Sequence, residues 1–409
     1  MIIKNYCIDN FTFIEAKFED DDHKTSNRLE GAGVQIELKT PVVFFNKKYS
    51  NLHPDVLGLA CLAIFYPFIG KRVTLPQPVS TRLPEALSRP IFTKTKSIEI
   101  TNIDPSIPAY KGNGSSVLAF GGGMDSTAIR ALFPDTFIVH EASIKEGIEV
   151  LDHTNSVVSL LEAQGQGSLV KTNSRYLSNP GGWHIWIGSV VTALLEANMR
   201  NASHINAGTI LGSAFMSNGA RYFDRHNARK WHGPSGNYWQ QLFWDIELPM
   251  VQPLMGCSEI LTMEASLKHF KENEILYCTA KNGMACGVCP KCFRRTAIKD
   301  YVLCQTSNYA AFDNLAVHNL LKKSPTYFGH IYSALISTGW RPPDFLEQYF
   351  RHLPADNAFA LQYNPESIDF MPENLKQKIQ IVLSDNFKPM SEDDIRKMRS
   401  WDQSLLERT

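Results

Sequence analysis

The chain has no excess of either charge: Lys plus Arg and Asp plus Glu number 41 each among 409 residues. That balance excludes a global field for nucleic acid or an anionic membrane. Long apolar runs are missing too. The longest, Val56–Ile69, is about 14 residues and contains Pro67, short of the ~20 that a spanning helix needs. It predicts a buried helix over 55–66. No secretory leader opens the chain, since Met1–Tyr6 runs into polar residues rather than an apolar core with a cleavage site. Internal repeats and low-complexity segments are absent. Cysteine is thin except at one place, where four of the eight fall within 15 residues. That clustering suits a metal site in a reducing compartment better than a disulfide frame. The expectation is a soluble, cytoplasmic protein whose partners are neither membrane nor nucleic acid.

Against this background one stretch stands out. Ser115–Ala128 reads S-S-V-L-A-F-G-G-G-M-D-S-T-A, a short apolar strand, three glycines and a helix start. Such a turn aims several backbone N–H groups at one point, aided by the helix dipole, and so suits phosphate. The glycines allow positive φ and close ligand approach. Asp125 adds a carboxylate able to hold Mg²⁺ against the same phosphates. The other reading is a plain glycine-rich turn. No Lys follows the glycines, so this is not a P-loop, and the spacing is not G-x-G-x-x-G.

Strand and helix patterns alternate from Ser115 onward, the mark of a mainly parallel sheet. Strands are expected at 136–141, 168–172 and 202–207, and helices at 153–163 and 183–199. Ligands in such sheets sit at the carboxyl ends of strands. His140, Ser143, Gly208 and Thr209 are thereby candidates to line the same cleft as the glycine loop. Arg221, Arg225, Arg229 and Lys230 then cluster ahead of Trp231, Tyr238, Trp239, Phe243 and Trp244. This segment is either core filling or a stacking wall and lid for a planar heterocycle beside a cationic patch. Residues 1–108 read as an α+β accessory domain, 109–304 as the nucleotide domain, and 305–409 as a helical extension, with Ser391 a strong helix start.

Cys286, Cys289 and Cys292 are spaced C-x₂-C-x₂-C, with Cys278 eight residues ahead. Four thiolates in so short a loop can close a tetrahedral Zn²⁺ site of structural type. An iron–sulfur cluster is the rival, but the ferredoxin run wants a fourth Cys where Arg295 and Thr296 follow. Cys7, Cys61 and Cys304 are expected as packed thiols, whereas Cys257 lies in a loop near the cleft.

Gly121-Gly122-Gly123-Met124-Asp125-Ser126 resembles the S-G-G-x-D-S PP-loop of the ATP pyrophosphatase superfamily, with Gly121 where that family has Ser. The G-G-M-D-S-T core, the Pro253-Leu254 step before Ser258-Glu259-Ile260, and the C-G-x-C-x-x-C loop with Arg295 three residues on are similar to one branch. That branch is the 7-cyano-7-deazaguanine synthases (QueC-like enzymes). The resemblance covers roughly 112–300. It implies a Rossmann-like (adenine nucleotide alpha hydrolase-like) sheet, and ATP, Mg²⁺ and Zn²⁺ as cofactors. The implied reaction is adenylation of a carboxylate such as 7-carboxy-7-deazaguanine, with pyrophosphate released and a nitrogen nucleophile then displacing AMP. Ala119, Phe120, Gly121–Gly123, Met124, Asp125, Ser126, His140, Gly208 and Thr209 would bind ATP. Asp125, Ser126, Lys291 and Arg295, with Arg294, would serve catalysis, and Cys278, Cys286, Cys289 and Cys292 would hold the metal. About 110 residues precede the loop, Ile138–Ser143 replaces an F-D-Y-G-Q-like segment, and the last hundred residues have no counterpart. These departures suit a divergent relative, of the kind that also occurs in bacterial anti-phage gene sets, with a protein acceptor and a homodimer compatible with the added regions. A non-catalytic ATP-binding protein and an RNA-modifying PP-loop enzyme are the competing readings.

Overall fold

The computed structural model describes residues 1–27, 35–89, 96–149, 154–179, 190–215, 239–276, 285–323, 326–351, 353 and 358–401. They form two compact units. The first comprises Met1–Gly121, Asp135–Ala207 and the stretch ending at Val251; the second comprises Gly122–Pro134, the residues following Gly208, and Gln252 onward.

A nine-stranded sheet is the frame of the first unit. Its main strands are β1 (Ile2–Ile8), β2 (Phe11–Lys17), β3 (Val42–Phe45), β4 (Val117–Ala119), β5 (Phe137–Lys145), β6 (Gly167–Thr172), β7 (Ile205–Ala207) and β8 (Met250–Val251). They lie in the order β1-β2-β3-β6-β5-β4-β7-β8, and the short strand Ile148–Glu149 folds back on β5. From β6 through β8 every pairing is parallel. The protein is thus a mixed α/β fold with a mostly parallel central sheet. Numbered along the chain, the five parallel strands run 3-2-1-4-5. The direction of winding reverses between β4 and β7, the place where open α/β sheets receive ligands.

Three of the strands before residue 108 belong to this same sheet. β1 to β3 extend the central sheet, β3 meeting β6 antiparallel at Phe45 and Thr172. An extension of this kind covers the ladder groups that β6 would otherwise expose. On β2, Thr12, Ile14 and Ala16 face the core, the alternation of a half-buried strand. Helix α1 (Pro54–Phe65) is apolar on all sides and buried throughout, as its composition predicts. Its one charge, Asp55, is matched by Ser80, whose N–H and hydroxyl donate at 2.8 and 2.7 Å. The sequence pattern at Thr95–Thr101 predicts a strand, and the structure has a shorter one, Glu99–Ile100, paired with Arg72–Val73. Helices α2 (Met124–Leu132), α3 (Thr154–Gln164) and α4 (Val191–Met199) occupy the three connections that link β4, β5, β6 and β7.

The second unit is helical beyond α2. Its principal elements are α5 (Glu259–His269), α6 (Pro290–Val302) and α7 (Thr326–Ser337). Further helices reach Ser400, the last opened by a Ser391/Asp394 capping box. Among the described residues no helix is long and apolar enough to cross a membrane.

One half-buried carboxyl on β5, Glu141, gives a testable pH signature. Burial raises Glu141 to about 8, against hydroxyl donors Ser174 and Thr192 and the charge of Arg175. Because the folded value lies above the unfolded one, the fold favours the protonated form. Its contribution is complete in acid and is lost as pH rises through about 8. Glu141→Gln should therefore gain on the parent between pH 5 and pH 8, by on the order of 1–2 kcal/mol in urea melts.

Candidate functional site

β4 ends at Ala119, and the chain leaves it through Phe120. Phe120 N–H still donates to Val139 at 2.8 Å, and its carbonyl meets His140 Nδ1 at 2.8 Å. His140 is buried and braces the exit of the glycine loop. Gly122 has φ +72°, the left-handed region where a side chain is strained. Gly123 is extended and precedes α2, and no side chain caps it. The first-turn N–H groups of α2 have no partner inside the helix, so that end attracts an anion. Ser126 turns its hydroxyl back to the Gly123 carbonyl at 3.0 Å. A Cβ on Gly121 would meet nothing within 4 Å, so the serine of the PP-loop pattern would fit there.

Asp125 stands on the first turn of α2. Thr262 of α5 donates to its Oδ1 at 2.9 Å. Ser266, one turn further along α5, donates to the Met124 carbonyl at 3.0 Å. Glu259, Thr262 and Ser266 follow i, i+3, i+7 spacing, which places them along one side of α5. Ser258 caps that helix, accepting from Ile260 N–H and donating to the Ala360 carbonyl. Gly256 just before it abuts the 364–367 turn: a Cβ there would lie 2.4 Å from Ser367 Oγ.

The loop after β7 arrives at the same place. A Cβ on Gly208 would stand 3.4 Å from both Asp125 Cβ and Ser126 N. That is ordinary contact distance, so this loop lies against the start of α2. Thr209 follows it, half-buried.

Two arginines of α6 complete the cluster. Arg294 Nη1 pairs with Glu259 Oε1 at 2.8 Å, and His330 Nε2 on α7 faces Glu259 Oε2 at 3.7 Å. Arg295 is buried; its Nη1 donates to the Leu276 carbonyl at 2.7 Å while Leu276 N–H donates to Gly122 at 2.8 Å. A Cβ on Gly123 would lie 3.3 Å from Arg295 Nη2, so the guanidinium rests on the glycine loop. Lys291, by contrast, stands on the exposed first turn of α6. Burial and the charge of Glu259 push the Asp125 carboxyl up, with Arg295, Thr262 and Arg294 opposing. Burial would raise Glu259 as well, but Arg294 and His330 overcome it and bring that carboxyl down to about 2. Glu259 is thus a fixed anion already matched by Arg294, while Asp125 is the carboxylate whose burial Arg295, Thr262 and Arg294 do not fully offset.

The cysteine loop anchors these arginines. The sulfurs of Cys286, Cys289 and Cys292 lie within 4.8 Å of one another, Cys286 and Cys292 at 3.7 Å. Thiolates at 2.3 Å around one tetrahedral Zn²⁺ stand about 3.8 Å apart, so the set fits such an ion. Cys289 caps α6, its sulfur accepting from Cys292 N–H, with Pro290 in the first turn. Gly287 turns the loop at φ +75°. Arg294 and Arg295 follow Cys292 directly on that helix. Cys278, expected as the fourth ligand, lies outside the described residues, as do Arg221, Arg225, Arg229, Lys230, Trp231 and Tyr238. Of the aromatic segment, Phe243 is wholly in the core. Cys257 is also wholly buried and its thiol is pushed up by burial, which makes it inert. Cys61 is packed as expected, but Cys7 and Cys304 are exposed.

Residues 238–402 match the family model described as a family of unknown function (DUF6395). No curated protein and no solved structure matches the chain. The matched stretch contains Glu259, Thr262, the C-x₂-C-x₂-C cysteines, Arg294, Arg295 and His330, and leaves the glycine loop outside. Thr262 and His330 carry no mark in the sequence that sets them apart. The spacing of Thr262 from Glu259 could have placed it, whereas His330 comes from a region with no motif.

Proposed function

We propose that the protein is an ATP-dependent, ligase-type enzyme with a Rossmann-like, PP-loop nucleotide site. It adenylates a carboxylate and passes the acyl group to a nitrogen nucleophile. One observation carries the reading: an uncapped helix start, an under-compensated carboxylate (Asp125) and a buried guanidinium (Arg295) converge within one unit on a glycine loop that leaves the parallel strand at the winding reversal. Phosphates need donors and positive charge, and this arrangement supplies both.

In this reading Gly122, Gly123 and the first-turn amides of α2 receive phosphate oxygens, and Ser126 shapes that turn. Arg295, held by Leu276, neutralises the departing pyrophosphate. Mg²⁺, when bound, supplies further charge neutralisation, with Asp125 as its protein ligand. A substrate carboxylate oxygen attacks the α phosphorus. The bond from that phosphorus to the bridging oxygen breaks, and pyrophosphate leaves with the electron pair. An amine nitrogen then attacks the acyl carbon, AMP departs, and the nitrogen loses one proton. The resemblance to 7-cyano-7-deazaguanine synthases nominates 7-carboxy-7-deazaguanine as the carboxylate, with ammonia or a protein amine as the nucleophile.

Incubation of the protein with ATP, Mg²⁺ and 7-carboxy-7-deazaguanine, with and without ammonium, is expected to release pyrophosphate only when the acid is present. An amide or nitrile appearing only with ammonium would identify ammonia as the acceptor. ATP binding without pyrophosphate release from any carboxylate would replace this reading with a non-catalytic nucleotide-binding one.

A further inference from the structure

We infer that His330 is a positioning residue for nucleotide phosphates, acting through Glu259 on Arg294, so that the C-terminal helix α7 is part of the site. The inference rests on the nucleotide reading above and extends it to a region outside the motif-bearing stretch.

Three segments of the second unit converge on Glu259. Arg294 takes Oε1 at 2.8 Å from α6, and His330 faces Oε2 at 3.7 Å from α7. The third is the short helix Leu211–Ala214, which follows the Gly208 loop. A Cβ on Gly212 would lie 3.7 Å from His330 Nε2 and 4.0 Å from Glu259 Oε2. Leu211 N–H donates to the Cys257 carbonyl at 2.7 Å, fixing that helix beside the start of α5. The Glu259 side chain is 12% exposed, that of Arg294 18% and that of His330 5%, so the group is largely withdrawn from solvent.

The separation between His330 and Glu259 exceeds hydrogen-bond length, and such contacts commonly tighten once a ligand loads the site. Glu259 Oε2 is buried and has no hydrogen bond. The imidazole Nε2 lies 3.7 Å from it. An imidazole behind the carboxylate fixes how Glu259 presents Oε1, and Oε1 in turn fixes the Arg294 guanidinium. Without it, the carboxylate can rotate and take Arg294 in a bidentate grip, turning the guanidinium away from Asp125, whose carboxyl its charge lowers. The scaffold for this relay is rigid. Phe293, next to Arg294, packs at a tilt against Phe328 of α7 with ring centres 5.0 Å apart, and both rings are buried.

The test is affinity for ATP and for AMP, each with Mg²⁺, in the parent and in His330 variants. His330→Phe removes the polar edge and should weaken ATP about tenfold while AMP changes less than about twofold, since AMP lacks the β and γ phosphates that Arg294 would read. His330→Gln, which carries an N–H at nearly the position of Nε2, should stay within about threefold of the parent for both nucleotides. If His330→Phe does not fold, His330→Asn, polar but too short, takes its place with the same expectation. Equal losses for ATP and AMP, or failure of Gln to rescue, would show a structural role and overturn the inference. Unchanged ATP affinity in both polar-edge variants, with the parent binding ATP, overturns it while leaving the nucleotide site standing. A parent that binds no ATP overturns the nucleotide reading and this inference together.

Discussion

Asp125→Asn is expected to cut pyrophosphate release from ATP by about two to three orders of magnitude with no loss of thermal stability. The two halves of that result come from the same geometry. Asparagine keeps the shape and the acceptor for the Thr262 hydroxyl, so α2 and α5 remain tied at 2.9 Å. It removes a charge that burial disfavours and Glu259 repels, which is why the Asp125 carboxyl sits above its ordinary range. A group strained in this way contributes nothing to folding as an anion, and the melting temperature should hold or rise. What it would contribute is a ligand for Mg²⁺ at the phosphates, and asparagine is a poor substitute there. Pyrophosphate-coupled assays beside thermal melts check both halves. A rate within about threefold of the parent would remove Asp125 from phosphate chemistry. A rate loss accompanied by unfolding would make it a structural residue.

Much of this site was legible because its residues are local in sequence. A glycine triplet after an apolar strand dictates the turn and the start of α2, and the cysteine spacing dictates a knuckle whose next turn carries Arg294 and Arg295. What the sequence could not disclose is long-range pairing. The α+β region before residue 108 reads as separate because nothing local to Val42–Phe45 names its distant partner; the meeting of Phe45 with Thr172 joins it to the central sheet. Thr262 is a neutral residue in an ordinary helix until α5 lies along α2. His330 sits among Phe328, Ile331 and Leu335, all fully buried, so its position reads as core. The Lys291 assignment shows the complementary limit. A motif can nominate basic residues at 291, 294 and 295, which share one face of α6 by their i, i+3, i+4 spacing, but position along the helix decides their depth: Lys291 stands exposed at its first turn, whereas Arg295 one turn on is buried.

Metal removal should have the other large effect, and on stability as well as activity. The chain as purified is expected to hold about one Zn²⁺, and Cys292→Ser or strong chelation should remove it. Cys292 is wholly buried, and its sulfur lies 3.7 Å from Cys286. Without an ion, thiols at that separation no longer hold the loop, and α6 loses the Cys289 cap that starts it. Arg295 links α6 to Leu276, and Leu276 links to Gly122, so the disturbance reaches the glycine loop through two hydrogen bonds. A fall of about 10 °C in the first melting transition is expected, with ATP affinity falling alongside it. Cys278→Ser should reproduce both losses if that residue is the fourth ligand, whereas three-thiolate binding would leave it silent. Elemental analysis decides the ion: iron with visible absorption would mean a cluster. Zinc would mean a structural knuckle whose task is to hold two arginines against a phosphate cradle.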